Sequence, residues 1–191
     1  MKNFLFAFLL TLTQMTMAQE QLPYAEIPQA PEAYSPGAVV SRMIDGFGFR
    51  YYWATEGLRP EDLAYKPSDS ARTSEETLDH ILGLSEIVYN ASVAKVNSGV
   101  KTEGMSFEEK RARTLNNLKK ASENFRKAED LVAVQMTFPG KEGNRDFAVW
   151  YLLNGPLADG IWHVGQVVSF RRASGNPFNS KVSVFMGKLR D

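Results

Sequence analysis

The chain has 191 residues, of which 43% are hydrophobic and 23% charged, a length and composition typical of one domain with a sizeable core. Lys and Arg together number 22, as do Asp and Glu together, so the formal net charge is zero. Nucleic-acid-binding domains usually carry a clustered basic excess, so we expect no nucleic-acid partner. The sequence contains no cysteine, which excludes disulfides, a thiol nucleophile and lipid attachment through an N-terminal Cys.

Residues 1–18 have the pattern of a secretory signal peptide. Lys2 supplies a positive charge, an apolar run follows from Phe4 to Leu12, and Thr16 to Ala18 forms a small-residue cleavage pattern. A membrane anchor or a buried helix is the alternative, but the run of about nine residues is well short of the roughly twenty that span a bilayer. We therefore expect a mature chain beginning at Gln19, a periplasmic or secreted location, and no stable membrane anchor after cleavage.

The mature chain begins with a proline-containing stretch. Residues 19–34 carry three prolines and no apolar period, which predicts an extended or disordered leader before one domain over residues 35–191. Ser35 followed by Pro36 favours a helix start. Apolar residues at three- and four-residue steps, including Val39 and Met43, continue this helix to about Thr55.

Two further helices open on capping-box patterns. Thr73 to Glu76 precedes a strong apolar stripe that runs to about Ala91, and this second helix carries His80. Ser106 to Glu109 opens a third helix whose inner positions include Leu118 and Phe125. The remaining positions of the third helix are rich in Lys, Arg and Glu, which indicates a solvated side.

In the C-terminal third, the sequence predicts short strand-like and helical segments followed by one more long helix. Val132 to Phe138 alternates loosely and predicts a short strand or loop, and Phe147 to Leu153 predicts a short helical stretch. The last helix should begin near Pro156 and end near Ala173, before a Gly-Asn-Pro break. Lys181 to Lys188 looks extended. We predict an all-α four-helix bundle with a short irregular or strand-like segment before the last helix.

The last helix carries an unusual polar stripe. Asp159, His163 and Gln166 share one helix face, and a buried polar group without a partner costs several kcal/mol. Two imidazoles and a carboxylate can bind a first-row divalent metal, and His80 is the chain's other histidine. The alternatives are a solvated face, with Asp159 capping the helix or pairing with an Arg, and a hydrogen-bonded core role for His80.

Other residues receive simpler interpretations. We predict Trp150 and Trp162 to be core aromatics, and Arg171 and Arg172 to be solvated in the last helical turn. Asn90 begins a glycosylation pattern but falls within a helix, so it is set aside. No phosphate-binding glycine loop or Gly-x-Ser-x-Gly elbow is present. Catalysis would therefore be metal-assisted or would depend on ordinary acid–base side chains.

Two segments resemble the DinB-like (YfiT-type) superfamily. Arg72 to Ile81, reading RTSEETLDHI, is similar to its second-helix motif, and His163 to Val167, reading HVGQV, to its fourth-helix segment. The similarity extends over nearly the whole mature chain, including helix order. It implies a four-helix bundle that binds nickel or zinc through three histidines, one on the second helix and two, four residues apart, on the fourth.

The resemblance assigns candidate ligands with one departure from the family pattern. His80 matches the second-helix ligand and His163 the second ligand of the fourth helix, but Asp159 occupies the position of the first. Aspartate can ligate and favours a harder metal, so the expected cofactor is divalent nickel, zinc or iron. Asp159 would ligate the metal or act as a catalytic base. Gln166 would not bind the metal itself but would orient a ligand or a water molecule beside it.

The resemblance implies one site but allows several reactions at it. Family members resemble thiol-dependent transferases and a mycothiol-dependent isomerase, but an exported protein meets little low-molecular-weight thiol, so a hydrolase is equally consistent. We expect metal-dependent activity on a small molecule. The alternative is a non-catalytic, stress-related metal- or ligand-binding bundle, with a helix face available for a homodimer.

Overall fold

The computed structural model describes residues 21–191 and is mostly helical. The helices are α1 (Pro36–Thr55), α2 (Pro60–Ala64), α3 (Ser74–Ser92), α4 (Phe107–Phe125), α5 (Val149–Leu152) and α6 (Ala158–Ala173), with a π-helical turn at Leu153–Leu157 between the last two. The strands β1 (Gln135–Gly140) and β2 (Gly143–Ala148) form an antiparallel hairpin. The short strands β3 (Val182–Ser183) and β4 (Lys188–Leu189) form a second antiparallel pair.

The predicted starts of the first three long helices are confirmed by their caps. Ser35 Oγ accepts a hydrogen bond from the Ala38 amide, with Pro36 at the first helical position. Thr73 and Glu76 form the reciprocal capping box of α3. Ser106 forms the same box with Glu109 at the start of α4. Each cap satisfies amide donors that a helix terminus would otherwise leave unpaired.

The four long helices pack around one core. Helix α1 contacts α4 and α6, and α3 contacts the same two helices, so α1 lies diagonally opposite α3. Fully buried side chains come from each of the earlier helices, including Phe47, Ile81 and Leu118, and Val164 on α6 joins them. This arrangement makes α3 and α6 direct neighbours, which matters for the polar residues that they carry.

The strand-like segment predicted before the last helix is present as β1, but the all-α class omits its partner β2 and the pair formed by β3 and β4. Phe147, predicted to open a short helical stretch, lies in β2, whereas Val149–Leu152 is helical as predicted and α6 begins at Ala158, two residues after the predicted start. Pro156 has no amide proton and interrupts the normal helical ladder. The π-helical turn accommodates that interruption, so the helix continues through the proline.

The segment before α1 contains no helix or strand in residues 21–34, yet it contributes to the core. The Tyr24 ring is buried and lies so close to Gly48 that a β-carbon there would collide with it. Its hydroxyl donates to Asp45 Oδ1 over 3.1 Å. Trp53 Nε1 donates to the Ala25 carbonyl over 3.0 Å. The segment therefore packs along α1.

The signal peptide predicted for residues 1–18 lies outside the described residues. Within residues 21–191, no helix has the length and apolarity needed to cross a bilayer.

Two tryptophans predicted to be core residues are exposed, and so are two apolar residues of α1. Val39 and Met43 are largely exposed, although α1 buries the adjacent positions Val40 and Ile44. Trp150 and Trp162 are 73% and 70% exposed, so the core prediction is wrong for both. On α6 the inner positions are 160, 164, 167 and 171, and residue 162 lies about 200° around the helix from residue 160.

Arg171 is buried, contrary to the prediction of a solvated side chain. It is 4% exposed because its position continues the inner stripe of α6. One guanidinium nitrogen donates to the carbonyl oxygens of Trp53, Ala54 and Glu56 over 3.0–3.2 Å. These carbonyls lie at the end of α1 and have no partner within the helix. Arg171 therefore caps α1 from a different helix.

A buried carboxylate joins α2 to the end of α6. Asp62 accepts hydrogen bonds from the Arg59 side chain, the Ser174 hydroxyl and the Asn176 side-chain amide. The Arg59 hydrogen bonds, with those of Ser174 and Asn176, hold the pKa of the Asp62 carboxyl well below its usual range. Ionised Asp62 therefore stabilises the folded chain.

This network predicts a defined pH dependence of stability. The Asp62 pKa is about 3.9 in the unfolded chain and lower in the folded chain, so its stabilisation is present above about pH 4 and lost as the pH falls towards the folded pKa. Asp62→Asn should lower the free energy of unfolding at pH 7. The gap from the wild type should narrow at pH 3, as measured by urea unfolding.

Asp69 offers a matched control because its side chain is fully exposed. Asp69→Asn should leave the free energy of unfolding nearly unchanged at both pH values. A gap for Asp62→Asn that is equally large at pH 3 and pH 7 would contradict the assignment.

Candidate metal centre

The neighbouring helices α3 and α6 bring two imidazoles to one carboxylate. His80 Nε2 on α3 lies 3.0 Å from Asp159 Oδ2 on α6. His163 Nε2, one turn further along α6, lies 3.3 Å from Asp159 Oδ1. The two imidazole ring centres are 4.7 Å apart, with their planes nearly perpendicular. Each carboxylate oxygen therefore faces a different histidine.

Close helix packing positions this cluster. Gly160 follows Asp159 and lies against the Phe47 ring of α1, where a β-carbon would collide with the ring. Because this contact requires glycine, α6 approaches α1 closely just beside the cluster. Asp159 and His163, four residues apart on α6, then stand together on the side that meets His80.

The hydrogen bond between His163 and Gln166 orients the His163 ring within the cluster. His163 Nδ1 lies 2.7 Å from Gln166 Oε1, and a carbonyl oxygen can only accept, so Nδ1 carries the proton in this amide orientation. In the tautomer with the proton on Nδ1 alone, Nε2 directs its lone pair at the Asp159 carboxylate. Two acceptors at 3.3 Å need a proton or a cation between them. A divalent ion satisfies that need and uses both groups as ligands.

The spacing fits a single ion. One ligating atom from each of His80, Asp159 and His163 can be chosen so that all lie within 4.8 Å of one another. Two atoms each about 2.0–2.3 Å from an ion are at most about 4.6 Å apart, so small side-chain rotations complete the set. These three residues could therefore hold a metal ion.

The cluster is accessible from outside the protein. The side chains of His80 and Asp159 are 35% and 33% exposed, and that of His163 is 15% exposed. An ion held there would keep positions open for water or another small molecule, as in catalytic rather than structural metal sites.

The structure groups all four sequence-predicted residues, since Gln166 adjoins His163. Asp79, which the helix wheel places on another face, instead contacts Lys110 Nζ at 2.9 Å. Sequence reasoning missed Trp162, whose indole stacks beside the His163 ring with centres 6.2 Å apart. Its position next to His163 in the sequence was the available signal.

Comparisons with protein-family models, curated proteins and solved structures found no match for this chain. The DinB-like assignment therefore stays a prediction from the two sequence segments.

The Gln166 contact predicts an indirect effect on metal affinity. Gln166→Leu removes the acceptor that fixes the His163 ring, so zinc affinity should fall about 10- to 100-fold, the usual range for such partners. Isothermal titration would measure it. Ser169→Ala changes an exposed polar residue on the same helix and should leave the affinity unchanged. A Gln166→Leu affinity within about twofold of the wild type would contradict the role.

Proposed function

We propose that this chain is a DinB-like protein with a divalent metal bound by His80, Asp159 and His163, and that it acts on a small molecule. The observation that carries the proposal is the Asp159 carboxylate between two imidazole nitrogens, at 3.0 and 3.3 Å. Imidazole and carboxylate ligands together suit nickel, zinc or iron.

The helical arrangement supports the family part of the proposal. Four long helices pack together, one candidate ligand comes from the second of them, and two, four residues apart, come from the fourth. This distribution agrees with what the resemblance implies. The substitution of Asp159 for a histidine remains the departure from the family pattern.

The accessibility of the cluster supports chemistry over a purely structural role. A bound divalent ion lowers the pKa of a coordinated water or thiol and so supplies a nucleophile at neutral pH. Asp159 Oδ1 and Oδ2 both face the cluster, so this carboxylate either ligates or accepts a proton from the nucleophile. His163 keeps its orientation through Gln166. The reaction is a hydrolysis or a thiol transfer, and the expected export, which leaves little low-molecular-weight thiol available, makes hydrolysis at least as consistent with the sequence.

Metal-dependent stabilisation tests the site. An ion that binds the folded chain stabilises it by about 2.7 kcal/mol at a free concentration 100 times the Kd. Tag-free, chelator-treated protein should therefore show a higher Tm with nickel, zinc or ferrous iron. His163→Ala should abolish this shift. Asp159→Asn should reduce it less, because an amide oxygen is a weaker ligand.

Two further variants sharpen the test. Asp159→His restores the three-histidine set that the resemblance implies and should tighten nickel and zinc binding. The side chain of Asp69 is fully exposed, so the Tm of Asp69→Asn should respond to the metals as that of the wild type does. A wild-type Tm that does not respond to any of the three metals would overturn the proposal.

Export is a separate proposal that rests on the sequence of residues 1–18. Cleavage after Ala18 would give a mature chain beginning at Gln19. N-terminal sequencing of the protein from its native host should find Gln19 first. Retention of Met1 would contradict this proposal without affecting the metal site.

A further inference from the structure

An apolar groove adjoins the candidate metal centre. It has a volume of about 490 Å³ and runs between α3, β1 and the start of α6. Seven of its ten lining residues have apolar side chains, among them Leu84, Ile87, Met136, Phe138, Ala158 and Trp162. Asp159 also lines the groove, so the groove and the candidate centre share a residue.

The dimensions and lining of the groove indicate the chemistry of its occupant. Small-molecule sites commonly measure about 300–1,000 Å³ and combine apolar walls with few polar groups. Among the described residues that line this groove, Asp159 is the only charged one and Asn154 the only other with a polar side chain. Sugars and nucleotides need many hydrogen-bonding or charged partners, which these walls do not offer.

Trp162 connects the groove to the metal ligands. Its indole is 70% exposed, although burial of an aromatic ring this large is strongly favourable. The same ring forms a wall of the groove and stacks beside His163. A molecule in the groove would cover the indole while one of its ends reached Asp159 and His163.

We infer that the groove binds the alkyl or aryl body of a small molecule whose polar head is held at the metal centre. This inference rests on the proposed function and narrows its substrate class to molecules with an apolar body. The head provides a metal-binding oxygen, and the body lies against the side chains from α3 and β1.

Two hydroxamic acids of different chain length distinguish binding of the polar head from binding of the apolar body. Acetohydroxamate and hexanohydroxamate share the metal-binding head and differ by four methylene groups. Each methylene removed from water strengthens binding by up to about fourfold. We expect hexanohydroxamate to bind zinc-loaded protein at least about tenfold more tightly than acetohydroxamate, as measured by titration of the Trp fluorescence. Neither compound should bind tightly without zinc.

Ala158 provides the variant that fills the groove. Its side chain is exposed and is not a metal ligand, so Ala158→Phe should fold and bind zinc as the wild type does. The preference for hexanohydroxamate should fall to about threefold or less. Ala173→Phe places the same ring on an exposed position at the other end of α6, outside the groove, and should preserve the preference.

The outcomes separate the two proposals. If acetohydroxamate binds with zinc but hexanohydroxamate binds no more tightly, the groove inference is wrong and the metal centre stands. A chain-length preference that survives in Ala158→Phe would also overturn the inference. If the protein binds none of zinc, nickel and ferrous iron, both proposals fail, and if it binds nickel or iron in place of zinc, the same two compounds are compared on protein loaded with that metal.

Discussion

The contact of one carboxylate with two imidazole nitrogens, one from α3 and one from α6, is the interaction on which the candidate site depends. Asp159 is within 3.3 Å of both histidines, and Gln166 contacts the other nitrogen of the His163 ring. The two helices that supply these groups are held close by packing elsewhere. Gly160 admits the Phe47 ring beside the cluster, and Arg171 anchors the far end of α6 to α1. The polar site thus depends on apolar and capping contacts along the whole helix.

Local signals in the sequence were sufficient for much of the fold. Ser35, Thr73 and Ser106 marked three helix starts correctly, because a cap involves residues within three positions of one another. The offset between Asp159 and His163 likewise fixed their common face. That His80 meets them depends on helix order around the bundle, and here the family resemblance supplied the expectation that no spacing argument could.

What the sequence did not indicate depends on partners distant in the chain. Arg171 was expected in solvent because its position near a helix end is usually exposed, but the end of α1 supplies carbonyl acceptors there. Trp162 was expected in the core, yet its ring lines the groove and stays 70% exposed. Tyr24 was expected in an extended leader because the leader has no apolar period. Its ring instead packs against Gly48, where a β-carbon would collide with it. Each outcome depends on whether a residue at least 24 positions away in the sequence packs against the side chain.

The π-helical turn at Leu153–Leu157 has a consequence for how the site could arise or be lost. A π turn closes its hydrogen bonds one residue later than an α turn, and each helical residue rotates the chain by about 100°. The turn therefore decouples the direction of α5, which packs on the β1–β2 hairpin, from that of α6, which meets α3. A relative lacking one residue here would keep His80, Asp159 and His163 in its sequence, yet the rotation of α5 and its hairpin relative to α6 would change by about 100°. The length of this turn is thus as much a part of the site as the residues that form it.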